Sequence, residues 1–170
     1  AQLGKELSEE EAQQMYDVKA AYFHEMPEAK VFDGVIDLMQ KIKASGLKIG
    51  IVTGSAQLPL IERVTRDFGE FVSKDQITTA YDVKRGKPNP DPYLMGLQKA
   101  GNYLPTEGIV VENAPLGVHA GAAAGCYTVA INSGPLPDSV LLNEGADILF
   151  PTIREFADNW EQSLNHFPKY

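Results

Sequence analysis

Two stretches of this chain, Gly108-Ile109-Val110-Val111-Glu112 and Cys126-Tyr127-Thr128-Val129-Ala130-Ile131, are apolar at nearly every position rather than at every second one. A half-exposed strand alternates, so a run without alternation must be covered on both faces. Between and around these runs lie segments with helical spacing. Val35, Leu38, Met39 and Ile42 mark one, and Leu60, Ile61, Val64 and Phe68 mark another. A third follows Asp91-Pro92, read as an N-cap with proline in the first turn, and closes at Gly101. A small-residue helix through Gly117, Ala120, Gly121 and Ala124 stops at Gly125. Strand followed by helix, repeated, predicts an α/β fold, a parallel Rossmann-like sheet with helices on both faces. Right-handed crossovers then bring the carboxyl ends of all strands to one rim, where such sheets bind ligands.

The run Lys48-Ile49-Gly50-Ile51-Val52 is the third predicted strand, over 48–53, and it ends in Thr53-Gly54-Ser55. A strand that turns into a helix there presents backbone N–H groups and the positive end of a helix dipole to an anion. Thr53 is read as the first phosphate contact, with Gly54 allowing close approach and Ser55 adding an amide. A strand terminus with an N-cap explains the same three residues. Shorter strands are expected at 76–80 and 147–150, a short helix around 139–143, and a last helix opened by the capping box Thr152-Ile153-Arg154-Glu155.

Two further stretches carry chemistry. Lys84-Arg85-Gly86-Lys87-Pro88-Asn89-Pro90-Asp91-Pro92-Tyr93 holds Lys87 on a proline-stiffened loop before a helix, where an ammonium can neutralise a transferring phosphoryl group. Lys84 and Arg85 read as a solvated turn. In Val110-Val111-Glu112-Asn113-Ala114-Pro115, an acidic residue emerges from a buried strand, which is costly unless it is paired or holds a cation. Glu112 and Asn113 are oxygen donors suited to Mg²⁺, and a helix cap with a turn explains them equally well.

The order and spacing of these three stretches resemble the haloacid dehalogenase superfamily, and within it the β-phosphoglucomutase-like phosphatases and mutases. The resemblance covers roughly residues 30–155, and Gly86-Lys87-Pro88-Asn89-Pro90-Asp91-Pro92-Tyr93 is its most specific part. It implies that Thr53 is the hydroxyl of the second motif, Lys87 the lysine of the third, and Glu112 with Asn113 the acidic metal motif. It also implies Mg²⁺-dependent phosphoryl transfer from a small phosphorylated metabolite through an aspartyl-phosphate.

The chain departs from the pattern twice. Asn113 stands where the family usually has Asp, leaving one fewer negative charge for the metal. No Asp-x-Asp pair precedes Thr53, because Asp33 begins a helix and Asp37 lies within it. The expectation is a fragment whose first strand and attacking carboxylate come from an absent segment or a second polypeptide, and which is inactive alone. The alternative is a non-catalytic relative that binds phosphate or a partner chain.

Residues 1–30 are expected to be the remnant of a helical cap and 31–170 the α/β core. Ser8-Glu9-Glu10-Glu11 is a capping box, with Ala12, Met15, Val18, Tyr22 and Met26 following as a packing face and Pro27 ending the helix.

The 170 residues, 44% hydrophobic, suffice for one globular core. The net charge of −8 argues against nucleic acid or an anionic membrane as main partner. With one cysteine, read as a buried hydrophobe, and no apolar run of membrane-spanning length, a cytoplasmic enzyme is expected. His24, His119 and His166 lack metal-ligand spacing, and Ser133 at a strand end is a minor candidate for substrate contact.

Overall fold

A computed structural model describes residues 8–25 and 30–167. The chain divides into two compact units, residues 1–31 and 32–170.

In the first unit, α1 (Glu9–Glu25) starts at the expected capping box. Glu11 Oε2 accepts from the Ser8 N–H at 2.8 Å and from the Ser8 hydroxyl at 2.9 Å, while the Glu11 N–H returns to Ser8 Oγ at 3.2 Å. Of the expected apolar stripe, Met15, Val18 and Tyr22 are exposed. Met26 and Pro27 lie outside the described residues.

The second unit opens on Gly34, whose φ of +92° turns the chain into α2 (Val35–Ala44). A Cβ there would come within 2.6 Å of the Arg154 backbone, so glycine is required by space as well as by φ. The helix closes at Ser45, with Gly46 at φ +77° immediately after it. Then follow β1 (Ile51–Val52), α3 (Leu58–Phe68), β2 (Ile77–Thr78), α4 (Asp91–Gly101), β3 (Ile109–Glu112) and α5 (Pro115–Ala124). The chain ends with β4 (Tyr127–Ile131), α6 (Asp138–Asn143), β5 (Ile148–Phe150), α7 (Ile153–Asp158) and α8 (Trp160–Ser163).

Every pairing is parallel, as expected, but the sheet is broken. Strand β1 pairs with β2, and β3, β4 and β5 form a separate sheet in that order. The predicted strand at 48–53 contracts to Ile51–Val52, and that at 76–80 to Ile77–Thr78, because their ladder has only two rungs. Short 3-10 turns at Lys74–Gln76 and Ala80–Asp82 take up the residues on either side of β2.

Alternation along β3 and β4 assigns the two faces of the core. Val129 and Ile131 pack with Leu38 of α2, Phe156 of α7 and Trp160 of α8. Ala130 packs with Val118 of α5 and Leu141 of α6, and Val110 with Tyr93 of α4. Helices therefore cover both faces.

Local details also differ from expectation. The N-cap of α4 is Pro90, not Asp91, because the Asp91 carboxylate accepts from Arg85 Nε at 2.9 Å and Nη2 at 2.7 Å. Arg85 thus braces the loop rather than simply facing solvent. Helix α4 does close at Gly101 as expected, with Asn102 at φ +59° as its left-handed cap. The last helix is two, α7 and α8, divided at Asn159, with the Glu155 N–H donating to Thr152 Oγ1 at 3.1 Å at its start.

Candidate active site

Strand β3 delivers Glu112 to the rim and α5 starts three residues later, so the carboxylate folds back over the first turn of that helix. Its Oε2 accepts from the N–H of Asn113 at 3.0 Å and of Ala114 at 3.3 Å. Its Oε1 accepts from the Tyr93 hydroxyl at 2.6 Å and forms an ion pair with Lys87 Nζ. Gly117, one turn into α5, leaves the room: a Cβ there would overlap the whole Glu112 carboxyl group.

Lys87 reaches this point from the loop before α4, braced by the Arg85–Asp91 pair and by Asn89, whose N–H and Nδ2 both donate to Gly86 O. Its ammonium lies 4.7 Å from the centre of the Tyr93 ring and donates to the Val52 carbonyl at 3.4 Å. The ion pair is well shielded, with 18% of the Lys87 side chain and 12% of the Glu112 side chain exposed.

Burial is the largest single influence on Glu112 and pushes its carboxyl upward. The charge and hydrogen bond of Lys87, the Tyr93 hydroxyl and the Ala114 amide together outweigh it and hold the group below the usual carboxylate range. Burial, reinforced by the neighbouring Glu112 charge, raises Tyr93, so its hydroxyl remains a donor.

Thr53 directly follows the Val52 carbonyl that Lys87 touches. Its N–H donates to Thr78 O at 2.8 Å, which pins the start of the loop to β2. The Thr53 hydroxyl accepts from the Ser55 N–H at 3.1 Å, and Ser55 Oγ accepts from the Gln57 N–H at 3.1 Å. The strand does not turn straight into a helix: α3 begins only at Leu58. The Ser55 amide is thereby used within the loop, whereas the Gly54 N–H has no partner among the described residues. The structure thus brings Lys87 and Glu112 into contact and puts Thr53 beside the Val52 carbonyl that Lys87 also touches, with Gly54 next in line.

Asn113 is exposed, and it lines with Glu112 and Ser133 a cleft of about 590 Å³. Asp33 and Arg154 line the same cleft, held to each other at 3.2 Å, with Asp37 on the same guanidinium at 2.8 Å. His119 is outside the site, paired with Glu144 at 2.9 Å. Cys126 is buried, and burial pushes its thiol up to about 11, which suits a packed hydrophobe rather than a nucleophile.

Glu112 and Asn113 do not by themselves fit Mg²⁺. Both Glu112 oxygens are taken, one by a cation that already balances the charge, and Asn113 adds one neutral oxygen. Among the described residues no group of three acidic, histidine or cysteine side chains could hold a metal. A dication here needs carboxylates from elsewhere.

A family model described as haloacid dehalogenase-like hydrolase matches residues 1–131. The chain belongs to that family. Hexitol phosphatase A of Escherichia coli is 40% identical over 124 residues, 73% of this chain and 55% of the relative. Validoxylamine A 7'-phosphate phosphatase of Streptomyces hygroscopicus is 33% identical over 131 residues, 77% of this chain and 59% of the relative. Among solved structures, a candidate β-phosphoglucomutase from Bacteroides vulgatus is 44% identical with a TM-score of 0.89, covering 98% of this chain and 67% of that one. The chain therefore spans little more than half the length of these curated relatives. The described residues include no helix long and apolar enough to cross a membrane.

The residue that the sequence reading missed is Tyr93. It stands in the first turn of α4, six positions after Lys87, and that spacing is the one signal that ties it to the site. Tyr93→Phe keeps the ring under the ammonium and removes one donor from a shielded carboxylate. A loss of roughly 2 kcal/mol is expected, read as a lower urea midpoint at unchanged slope.

Proposed function

We propose that this chain supplies the phosphate-holding and charge-neutralising part of an enzyme that transfers the phosphoryl group of a small phosphorylated sugar or polyol. Hydrolysis is the reaction we favour, with phosphomutase chemistry the close variant, and both pass through an aspartyl-phosphate. The supporting observation is the meeting of Lys87, Glu112 and the Val52 carbonyl at one point of the rim, with Thr53 and the Gly54 N–H next to it.

In this reading the Thr53 hydroxyl and the Gly54 amide donate to phosphoryl oxygens and the Lys87 ammonium offsets the charge that develops on them. Tyr93 and the α5 amides hold Glu112, which in turn aims Lys87. The attacking carboxylate belongs to polypeptide outside these 170 residues, and so do the further carboxylates a Mg²⁺ ion needs. The unit containing α1 is assigned to a helical cap, and the setting to the cytoplasm.

The test is a titration of the ¹⁵N-labelled chain with inorganic phosphate. Shifts confined to Gly54, Ser55 and the Lys87 loop, saturating in about the millimolar range, are the expected result. Shifts elsewhere, or none, would overturn the site. Turnover of p-nitrophenyl phosphate by the chain alone would overturn the external carboxylate.

A further inference from the structure

The loop between β1 and α3 is held by hydrogen bonds more than by packing. A Cβ at Gly54 would meet nothing within 4 Å, so contacts on its flanks set the direction of its backbone. Within the loop, Thr53 Oγ1 accepts from the Ser55 N–H and Ser55 Oγ from the Gln57 N–H, each at 3.1 Å. The remaining ties all come from one neighbouring segment. Thr78 O accepts from the Thr53 N–H at 2.8 Å, and the Ala80 N–H donates to Ser55 O at 3.2 Å. The Tyr81 hydroxyl donates to Ala56 O at 2.8 Å. Two successive carbonyls of the loop are thus taken by two successive residues of one 3-10 turn, which fixes the planes of the peptides after Ser55 and Ala56.

That turn is itself anchored. Asp82 Oδ2 accepts from the Thr79 N–H at 2.7 Å and from the Thr79 hydroxyl at 2.9 Å, while the Tyr81 N–H donates to Thr79 Oγ1 at 3.3 Å. Asp82 Oδ1 accepts from Lys99 Nζ at 2.7 Å, and the same ammonium donates to Ile77 O at 2.8 Å. Lys99 stands on α4, the helix that carries Tyr93 and follows the Lys87 loop. Through Asp82 the turn is therefore fastened to the element that also aims the Lys87–Glu112 pair.

We propose that Tyr81 and Asp82 are positioning residues for the phosphate loop. Tyr81 latches the Ser55–Ala56 segment so that the Gly54 N–H stays turned towards the anion, Asp82 anchors the latch to α4, and neither touches the phosphate. The proposal rests on the phosphate site described above and adds what keeps that site in shape. With 71% of Tyr81 exposed, packing does not account for where its ring sits, and the bond to Ala56 O ties it down. A loop released from the latch spends part of its time with Gly54 turned away, and apparent affinity falls by the fraction of time lost.

The experiment titrates the ¹⁵N-labelled full chain and its Tyr81→Phe variant with inorganic phosphate, following the Gly54 amide. Phenylalanine keeps the ring and removes one hydrogen bond from an exposed residue, so the urea midpoint is expected to stay that of the parent. Phosphate affinity is expected to fall about fivefold, the worth of one hydrogen bond. The Gly54 resonance of the free variant should move, whereas its position at saturation should coincide with the parent's, because the occupied loop is the same. Thr79→Val removes the hydroxyl that joins Asp82 to the Tyr81 N–H and should weaken phosphate binding in the same way. Thr79→Ser keeps that hydroxyl and should bind as the parent does.

Equal affinity of the parent and Tyr81→Phe would overturn the latch. So would a different Gly54 position at saturation, the mark of direct contact with the anion, or a Thr79→Ser variant as weak as Thr79→Val. A parent chain that gives no response to phosphate overturns the site and the latch's part in it together. A responding parent with an unaffected variant overturns the latch alone.

Discussion

Lys87→Met is expected to abolish phosphate binding and to lower stability by about 3 kcal/mol. Methionine fills much of the same space but leaves the Glu112 carboxylate without its counter-ion, in a position where 12% of the side chain is exposed. The remaining partners, Tyr93 and two amides, hydrogen-bond the charge without balancing it. Adding Glu112→Gln removes the stranded charge, so the double variant is expected to regain much of the stability and none of the phosphate binding. A double variant as unstable as Lys87→Met would show that the ion pair is not the cause.

The same pair predicts a pH effect whose sign can be worked out. The Glu112 carboxyl lies below its ordinary value of 4.5 in the folded chain, so its stabilising contribution is complete above about pH 4.5. It is lost as the pH falls through the depressed folded value. In Lys87→Met the main lowering influences are gone, and acid unfolding should begin at a higher pH than in the parent chain.

The second large effect is expected from a single methyl group. Gly117→Ala should destabilise by about 2 kcal/mol, although alanine is favoured over glycine in a helix by about 1 kcal/mol. The added Cβ overlaps the Glu112 carboxyl group, which must swing out and give up Lys87, Tyr93 and the two amides together. In a Glu112→Ala background the obstruction is absent, and the same change should become neutral or stabilising. Additive behaviour across that cycle would mean that Gly117 is conserving something other than space for the carboxylate.

The strands that are apolar throughout, β3 and β4, were legible because their burial on both faces is written in every residue. Glu112 was legible for the converse reason, as a charge at the end of such a strand. Lys87 was legible from its proline-stiffened loop, but its direct pairing with Glu112 and the part of Tyr93 were not. Tyr93 and Lys87 are 19 and 25 positions away, and one turn of α4 in either direction would have aimed the tyrosine elsewhere. The short β1 illustrates the opposite error. Residues 48–53 have the composition of a longer strand, but a strand extends only as far as its neighbours pair with it, and here β2 offers two residues. The helix ends followed the same logic: Asp91 has the chemistry of a cap, and Arg85 claimed its carboxylate instead.

Helix α4 has a consequence beyond the residues it aims. It packs on α5 at one end of its contacts and on β1 and β2 at the other, and Lys99 on it ties Ile77 O at 2.8 Å to Asp82 at 2.7 Å. The β1–β2 half thus depends chiefly on one helix, whereas β4 is wedged between two strands and two layers of side chains. The smaller half should open as a cooperative unit well before global unfolding, taking the Thr53 loop with it. At the proposed phosphate loop, affinity for an anion would then be set partly by how often this half is closed, so anything that clamps it shut should tighten that binding without touching the anion.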